Sequence, residues 1–199
     1  MDAPNSPTPE PHPAAELHLG ATAALSTVVD AVDPADWDRP SPCEGWTARD
    51  VLAHLIATER DFLEGRGFDP GEVPDTAADP AAAWRQHLAS VTPIVTDPTV
   101  LAVAYDGYFG PTTVGDTWER FYVFDQVVHR WDLATAVGRD ERFDDAELDR
   151  LEVAVDAMGD SVYLEGVCVP GVEAADPTDR QARLLARLGR RTPSDSVAG

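Results

Sequence analysis

The stretch FDQVVHRWDLATAVG, residues 124–138, forms the second half of the longest helix that the sequence predicts. This helix runs from about Asp116 to Val137 without an internal Gly or Pro, and Gly138 is placed to end it in the left-handed conformation. Apolar residues recur at helical spacing on both sides of it, whereas no region shows several runs of period-two alternation. The sequence therefore predicts an all-α fold, with helices of four to six turns packed as an antiparallel bundle.

The other predicted helices are residues 14–32, 48–64, 79–95, 144–162 and 176–190. Their starts carry cap residues: Thr47 and Asp50 stand at capping-box spacing, and Asp79 precedes a proline at the first helical position. Asp144 or Asp145 is expected to cap the fifth helix, and Asp176 the sixth. The caps and the periodicity thus predict the same elements.

Composition limits the partners of this chain. Of its 199 residues 43% are hydrophobic, its net charge is −21 and its pI is about 4.3. Such a charge repels phosphate backbones and anionic lipids, which argues against nucleic acid and membranes as partners. No apolar run is long enough to span a bilayer and no signal peptide is evident, so we expect a soluble, cytoplasmic protein, either a monomer or a homodimer.

The chain is expected to form one domain. Residues 1–13 carry five prolines and are predicted to be a disordered tail. Residues 14–193 form the helical domain, and residues 194–199 a flexible C-terminus. Residues 100–115 fit either a short strand or a loop, and within them YDGYF at 105–109 fits either a lid over a cavity or a cover for the core.

Ionisable residues within the apolar helix need an explanation. Asp125 and His129 are four residues apart, so their side chains share one helix face at a spacing that suits metal ligands. Asp132 is three residues further and can orient the His129 imidazole from its second nitrogen. A third ligand is offered by His54, which lies between apolar residues in VLAHLI. Two histidines and one carboxylate suit Zn²⁺, Ni²⁺, Fe²⁺ or Mn²⁺.

The same residues also fit a buried hydrogen-bond network that needs no metal, and spacing alone does not decide between the two. The remaining histidines fit a metal site less well. His12 lies in the tail, His18 near the start of the first helix, and His87 on the expected solvent side of the third helix.

Several other residues allow two interpretations. Trp46 and Trp131 are expected to pack near the site, with a role as a substrate wall as the alternative. Arg49 and Arg130 are expected to be solvated charges rather than contacts for an anion. Cys43 is placed to lie at a cavity mouth, but no histidine stands near it in sequence to activate a catalytic thiol. Both cysteines, Cys43 and Cys168, are expected to be free thiols.

Two segments carry a family resemblance: PSPCEGWTARDVLAHL at 40–55 and VVHRWDLATAVG at 127–138. Together they resemble the actinobacterial metal-binding proteins of the DinB-like superfamily, which includes mycothiol-dependent maleylpyruvate isomerase. The likeness extends from about residue 15 to 193. In that family a histidine lies in a W-T-x-x-D-x-x-x-H helix, and an acidic residue precedes a second histidine by four. The matching residues here are His54, Asp125 and His129.

The resemblance implies a DinB-like four-helix bundle, with additional short C-terminal helices, that holds one divalent metal, Zn or Ni, at its open end. It also implies mycothiol as a thiol cofactor and a small electrophile as substrate, in a transferase or isomerase reaction that needs no further catalytic side chain. A non-catalytic metal-dependent binding or stress-response module is the alternative. The family commonly has glutamate where this chain has Asp125, a side chain one methylene shorter.

Overall fold

A computed structural model describes residues 12–159 and 170–191 of the chain. Most of these residues are helical, in α1 (Pro13–Val29), α2 (Ala48–Glu64), α3 (Pro80–Val95), α4 (Pro98–Leu101), α5 (Val114–Thr117), α6 (Phe124–Ala136), α7 (Asp145–Met158) and α8 (Arg180–Arg187). A 3-10 turn, Pro34–Asp36, follows α1. Apart from His12 and Pro13, the predicted tail at 1–13 lies outside the described residues, as do Cys168 and the predicted C-terminal segment at 194–199.

The helix starts follow from local side-chain chemistry. The Thr47 side chain accepts a hydrogen bond from the Asp50 backbone N–H, and the Asp50 carboxylate accepts one from the Thr47 N–H, which completes the predicted capping box of α2. Asp79 caps α3 as predicted, and α7 begins after Asp144 rather than Asp145. These caps satisfy amide groups that have no partner inside the helix.

The prediction that Asp176 caps the last helix is wrong. Asp179 caps α8 by accepting a hydrogen bond from the Gln181 N–H. Asp176 instead accepts from the backbone and hydroxyl of Thr178, two residues on, and so forms a turn before the helix begins. Aspartate favours both environments, so residue type alone does not separate a turn from a cap.

The longest predicted helix is helical over its whole length but is not a single α-helix. Between α5 and α6 the segment Trp118–Val123 is a π-helix. The wider π turn places an additional residue in the chain before α6 and rotates the faces of α5 and α6 relative to each other. A prediction from hydrophobic periodicity assumes the same number of residues in every turn, so it does not detect a π-helical segment.

Residues 100–115, for which strand and loop were both expected, contain a short antiparallel hairpin. Strand β1 (Ala104–Gly107) pairs with β2 (Gly110–Thr113), with Tyr105 opposite Thr112. The Tyr105 ring is half-buried and its hydroxyl lies 2.5 Å from the Thr117 hydroxyl, whereas Tyr108 at the tip is 86% exposed. The hairpin is the exception to the predicted all-α fold in the described part of the chain.

The apolar faces of the helices meet in two clusters of buried side chains. α1 and α2 each pack against both α3 and α6. Trp118 and Val127 belong to one apolar cluster, and Leu52 and Leu133 to the other. No helix in the described ranges is both long enough and apolar enough to cross a membrane.

Candidate metal centre

Three donor side chains meet where α2 packs against α6. His54 comes from α2, and Asp125 and His129 come from α6; their ligand atoms all lie within 4.8 Å of one another. His54 Nε2 is 3.6 Å from Asp125 Oδ2, and the two imidazole rings are 5.1 Å apart between centroids. We refer to these residues as the three-residue cluster. The structure brings together all three residues that the sequence predicts as ligands.

The cluster is open to solvent on one side. The His54 and Asp125 side chains are 26% and 33% exposed, whereas His129 is 5% exposed. At 3.6 Å the His54–Asp125 contact is too long for a hydrogen bond. Among the described residues, neither of these side chains has a hydrogen-bond partner. The donors are therefore close enough to share a ligand and free to do so.

Asp132, predicted to orient His129, lies beside it on α6. His129 Nδ1 is 2.8 Å from Asp132 Oδ2, and the carboxylate is fully buried. A buried carboxylate accepts hydrogen bonds, so Nδ1 carries the proton and donates it. That tautomer leaves a lone pair on His129 Nε2, the arrangement found where a carboxylate orients a metal-ligating histidine.

Sequence reasoning did not identify Arg190, which holds the other side of Asp132. The Arg190 Nη2 atom is 3.0 Å from Asp132 Oδ2, and the two residues are 58 positions apart in the sequence. Burial acts to raise the pKa of the Asp132 carboxyl, but the charge of Arg190 and the hydrogen bond from His129 outweigh it and lower the pKa to about 2. Arg190, three residues after the end of α8, therefore holds a carboxylate on α6 in place.

Cys43 lies on the same side of Asp132. Its Sγ atom is 3.4 Å from Asp132 Oδ2 and 3.8 Å from Arg190 Nη2. Burial, followed by the Asp132 charge, raises the pKa of the Cys43 thiol to about 12. Cys43 is a free cysteine, and in this environment it stays protonated.

Cys43, His129 and Asp132 form a second group whose donor atoms lie within 4.8 Å of one another. Two observations distinguish this group from the three-residue cluster. Its carboxylate already accepts hydrogen bonds from His129 and Arg190, and the Arg190 guanidinium stands where it would repel a cation. The three-residue cluster has neither feature, so its donors are the better metal ligands.

Aromatic side chains line the cluster. The Trp46 ring is 4.8 Å from the His54 ring and 6.1 Å from the His129 ring, so Trp46 forms one wall. Trp131 is buried in an apolar cluster instead. Tyr122, on the π-helix, is half-buried, and the pKa of its hydroxyl is raised first by burial and then by the charge of Asp125.

A second group of polar residues connects four helices through hydrogen bonds between buried side chains. It has one residue each from α1, α2, α3 and α6, all with 0% exposure: His18, Glu59, His87 and Gln126. Gln126 Nε2 donates to Glu59 Oε1 at 2.8 Å and contacts His18 Nδ1 at 3.2 Å. His87 Nε2 lies 2.8 Å from Glu59 Oε2. We refer to these four residues as the buried polar layer.

The prediction that His87 faces solvent is wrong. Its ring stacks on Trp84 at 5.4 Å and its Nε2 contacts the Glu59 carboxylate, so a partner on another helix compensates for its burial. Sequence reasoning also missed Glu59 and Gln126 as core residues. The signal available for Glu59 is its helical spacing from the apolar residues Leu55, Ile56 and Leu63, which places it on the apolar face of α2.

The two arginines expected to be solvated differ. Arg130 is 3% exposed and forms two hydrogen bonds with Glu147, at 2.7 and 2.9 Å, so that prediction is wrong. It is buried because two carboxylates on the α7 side of α6, Glu141 and Glu147, neutralise it. Arg49 is half-buried and donates to Asp38 and to two backbone carbonyls, so it holds loops together. Neither guanidinium faces the three-residue cluster.

The donor set of the three-residue cluster fits a divalent metal. Ligands bound tetrahedrally at about 2.0–2.1 Å lie about 3.4 Å from one another. The 3.6 Å between His54 Nε2 and Asp125 Oδ2 is close to that value, and the remaining separations are within 4.8 Å. Three protein donors with one open side leave a coordination position for a small molecule.

Comparison with known proteins gives one family and two relatives. The sequence profile described as mycothiol maleylpyruvate isomerase N-terminal domain matches residues 18–134. Two uncharacterized proteins of Mycobacterium tuberculosis, one from strain H37Rv and one from strain CDC 1551, are each 25% identical over 185 residues. Each alignment covers 87% of this chain and 97% of the relative. No solved structure matches the chain significantly.

Proposed function

Because this chain belongs to the family of mycothiol maleylpyruvate isomerase N-terminal domains, we propose that it is a thiol-dependent transferase or isomerase with a divalent metal, Zn or Ni, held by His54, Asp125 and His129. The small-molecule thiol is mycothiol or a close analogue, and the second substrate is a small electrophile. We also propose that α1, α2, α3 and α6 form a DinB-like four-helix bundle around this centre.

One observation carries the proposal: the donor atoms of the three-residue cluster lie within 4.8 Å of one another, and the side chains of His54 and Asp125 are not engaged in hydrogen bonds with the described residues. Two histidines and a carboxylate that were placed only for stability would be expected to pair, as the buried polar layer does. Donor atoms that lie close together without being paired favour the binding of one ligand that they share.

A divalent metal at this position would supply positive charge that lowers the pKa of a thiol or polarises a carbonyl oxygen at the open side. The protein residues have separate tasks. Asp132 holds the proton on His129 Nδ1, so that Nε2 presents its lone pair to the cluster, and Arg190 keeps Asp132 ionised. Trp46 covers two of the rings and limits the access of water.

Incubating the full chain, loaded with Zn²⁺ or Ni²⁺, with mycothiol and a series of electrophiles tests the proposal. We expect saturable loss of free thiol with formation of a conjugate or an isomerised product, and no reaction with His129→Ala. Arg120→Gln, a change at an exposed position on the π-helix, is the matched control. Thermal stabilisation by a small molecule without turnover in any electrophile class would instead identify a metal-dependent binding module.

A further inference from the structure

A strip of half-buried residues on α2 leads away from the three-residue cluster. His54, Thr58 and Phe62 are spaced four residues apart, so they share one face of the helix; all three are half-buried, and each is followed by a fully buried residue. Eight residues of α-helix cover about 12 Å. The face thus connects the open side of the cluster with a region about 12 Å away along α2.

Aromatic rings line the far end of this strip. Phe62 is 4.9 Å from the Tyr122 ring on the π-helix and 6.2 Å from the Tyr105 ring on β1. Tyr122 in turn stacks on Trp118 at 4.8 Å. The contact between the Tyr105 and Thr117 hydroxyls fixes the hairpin ring in place. Trp118 is fully buried, whereas Phe62, Tyr105 and Tyr122 are partly exposed, so these three rings form a wall that continues along α2 from the cluster.

Arg66 stands over the end of the wall. Its guanidinium carbon is 3.9 Å from the centre of the Tyr105 ring and 5.1 Å from that of Phe62. Arg66 is exposed, and among the described residues no carboxylate forms an ion pair with it, although the chain carries a net charge of −21. The Arg66 guanidinium has five N–H donors. One of its nitrogens, Nη1, donates to the Gly65 carbonyl, so most of the donors stay available to a ligand.

The geometry points to a binding strip, formed by Phe62, Arg66, Tyr105 and Tyr122, for the sugar portion of a thiol whose sulfur lies at the three-residue cluster. This assignment rests on the proposed function. A sugar presents C–H groups on one face and hydroxyls at its rim, which suits an aromatic wall with an adjacent cluster of N–H donors. A cysteinyl group followed by a glucosamine ring and an inositol ring spans a length comparable to that of the strip.

The strip favours this occupant over the small electrophile. An electrophile must react at the sulfur and is limited to the region near His54, whereas Arg66 lies beyond the reach of a few atoms. The thiol carries the longer body, and only a long ligand can contact both the cluster and the Tyr105 ring. Binding there would orient the thiol and leave the open side near Trp46 for the electrophile.

Calorimetric titration of the Zn²⁺-loaded full chain with mycothiol and with N-acetylcysteine tests the assignment, because the two thiols differ in the sugar portion. We expect mycothiol to bind the wild-type protein at least tenfold more tightly. Arg66→Gln should reduce this ratio about tenfold, as the loss of hydrogen bonds from a charged donor does. Its affinity for N-acetylcysteine should change less than about twofold, because that thiol does not extend to residue 66.

Arg120→Gln provides the matched control, with the same change of charge at an exposed position on the π-helix, and it should leave the ratio unchanged. Phe62→Leu should lower the ratio as Arg66→Gln does, and its thermal midpoint checks that it is folded. Equal affinity of the wild-type protein for both thiols, or a ratio that Arg66→Gln does not alter, would overturn the binding strip.

Failure of the strip is distinguishable from failure of the proposed function. If N-acetylcysteine does not bind the metal-loaded protein, the thiol site at the cluster is refuted. Titration with glucosaminyl-inositol, which has no thiol, then tests whether the sugar portion binds the strip. Binding is monitored by the fluorescence of Trp118, which lies beside Tyr122. Binding that is weakened by Arg66→Gln supports the strip, and absence of binding overturns it.

Discussion

The three-residue cluster and the buried polar layer each contain two histidines and a carboxylate, and both include residues of α2 and α6, but they differ in hydrogen bonding. In the buried polar layer, side chains from four helices bind one another at 2.8–3.2 Å. In the three-residue cluster the closest pair is 3.6 Å apart and partly open to solvent. Pairing distinguishes polar residues that stabilise a core from residues that remain available for a ligand.

The largest expected effect is the loss of the metal from the three-residue cluster. His54→Ala deletes one of three proposed ligands, so we expect metal content, measured by plasma mass spectrometry on untagged protein, to fall from about one ion per chain to a trace. His12→Ala, a histidine at the start of α1, should retain the metal. Equal metal content in wild type and His54→Ala would show that His54 is not a ligand of a metal in this protein.

Glu59→Ala should lower the stability of the fold without changing its metal content. It removes the buried carboxylate that pairs with His87 Nε2 and accepts a hydrogen bond from Gln126 Nε2, and it opens a cavity, so we expect the free energy of unfolding in urea to fall by about 3–5 kcal/mol. Metal content per folded chain should not change. Loss of metal at temperatures where the variant is still folded would show that the two groups are not independent.

Asp132→Asn should weaken metal binding without abolishing it. Asparagine keeps the size of the side chain but loses the charge that fixes the His129 tautomer, and substitutions of this kind cost about 10–100-fold in metal affinity. Competition with a chromophoric chelator measures the change. Arg187→Gln is the control, because that arginine pairs with exposed Asp156 and not with Asp132. An affinity unchanged from wild type would mean that Asp132 serves only to bind Arg190.

The smallest effect is a pH dependence of stability from His18. Burial lowers the pKa of His18, partly opposed by the Glu59 charge, while His87 on α3 lowers it further. The lowered folded pKa means that stability is fully present above the unfolded value of about 6.5 and is lost as the pH falls below it, by up to about 1.4 kcal/mol per pH unit.

Urea midpoints at pH 7.5 and 5.5 measure this dependence. His18→Gln should show a smaller decrease between the two pH values than wild type, because the titrating ring is gone while a polar side chain remains near Thr92 and Gln126. A decrease equal to that of wild type would assign the pH dependence to other residues.

The local elements were predictable because their causes are local. The Thr47–Asp50 capping box and the Asp79 cap follow from neighbouring residues, and the structure confirms both. The positions of His54, Asp125 and His129 on helix faces follow from periodicity, and the resemblance correctly indicated the family. Their role as metal ligands remains a prediction, since spacing fits a metal site and a hydrogen-bond network equally well.

What the sequence by itself determined is therefore the set of helices, most of their starts and which donors share a helix face, since these depend on residues within a turn or two of each other. Only the tertiary structure decided which polar residues are paired. His87 is buried because Glu59 lies on another helix, and Arg190 reaches Asp132 across 58 positions. Such pairing depends on how distant segments pack, and the cost of burying a charge is known only when its partner is in place.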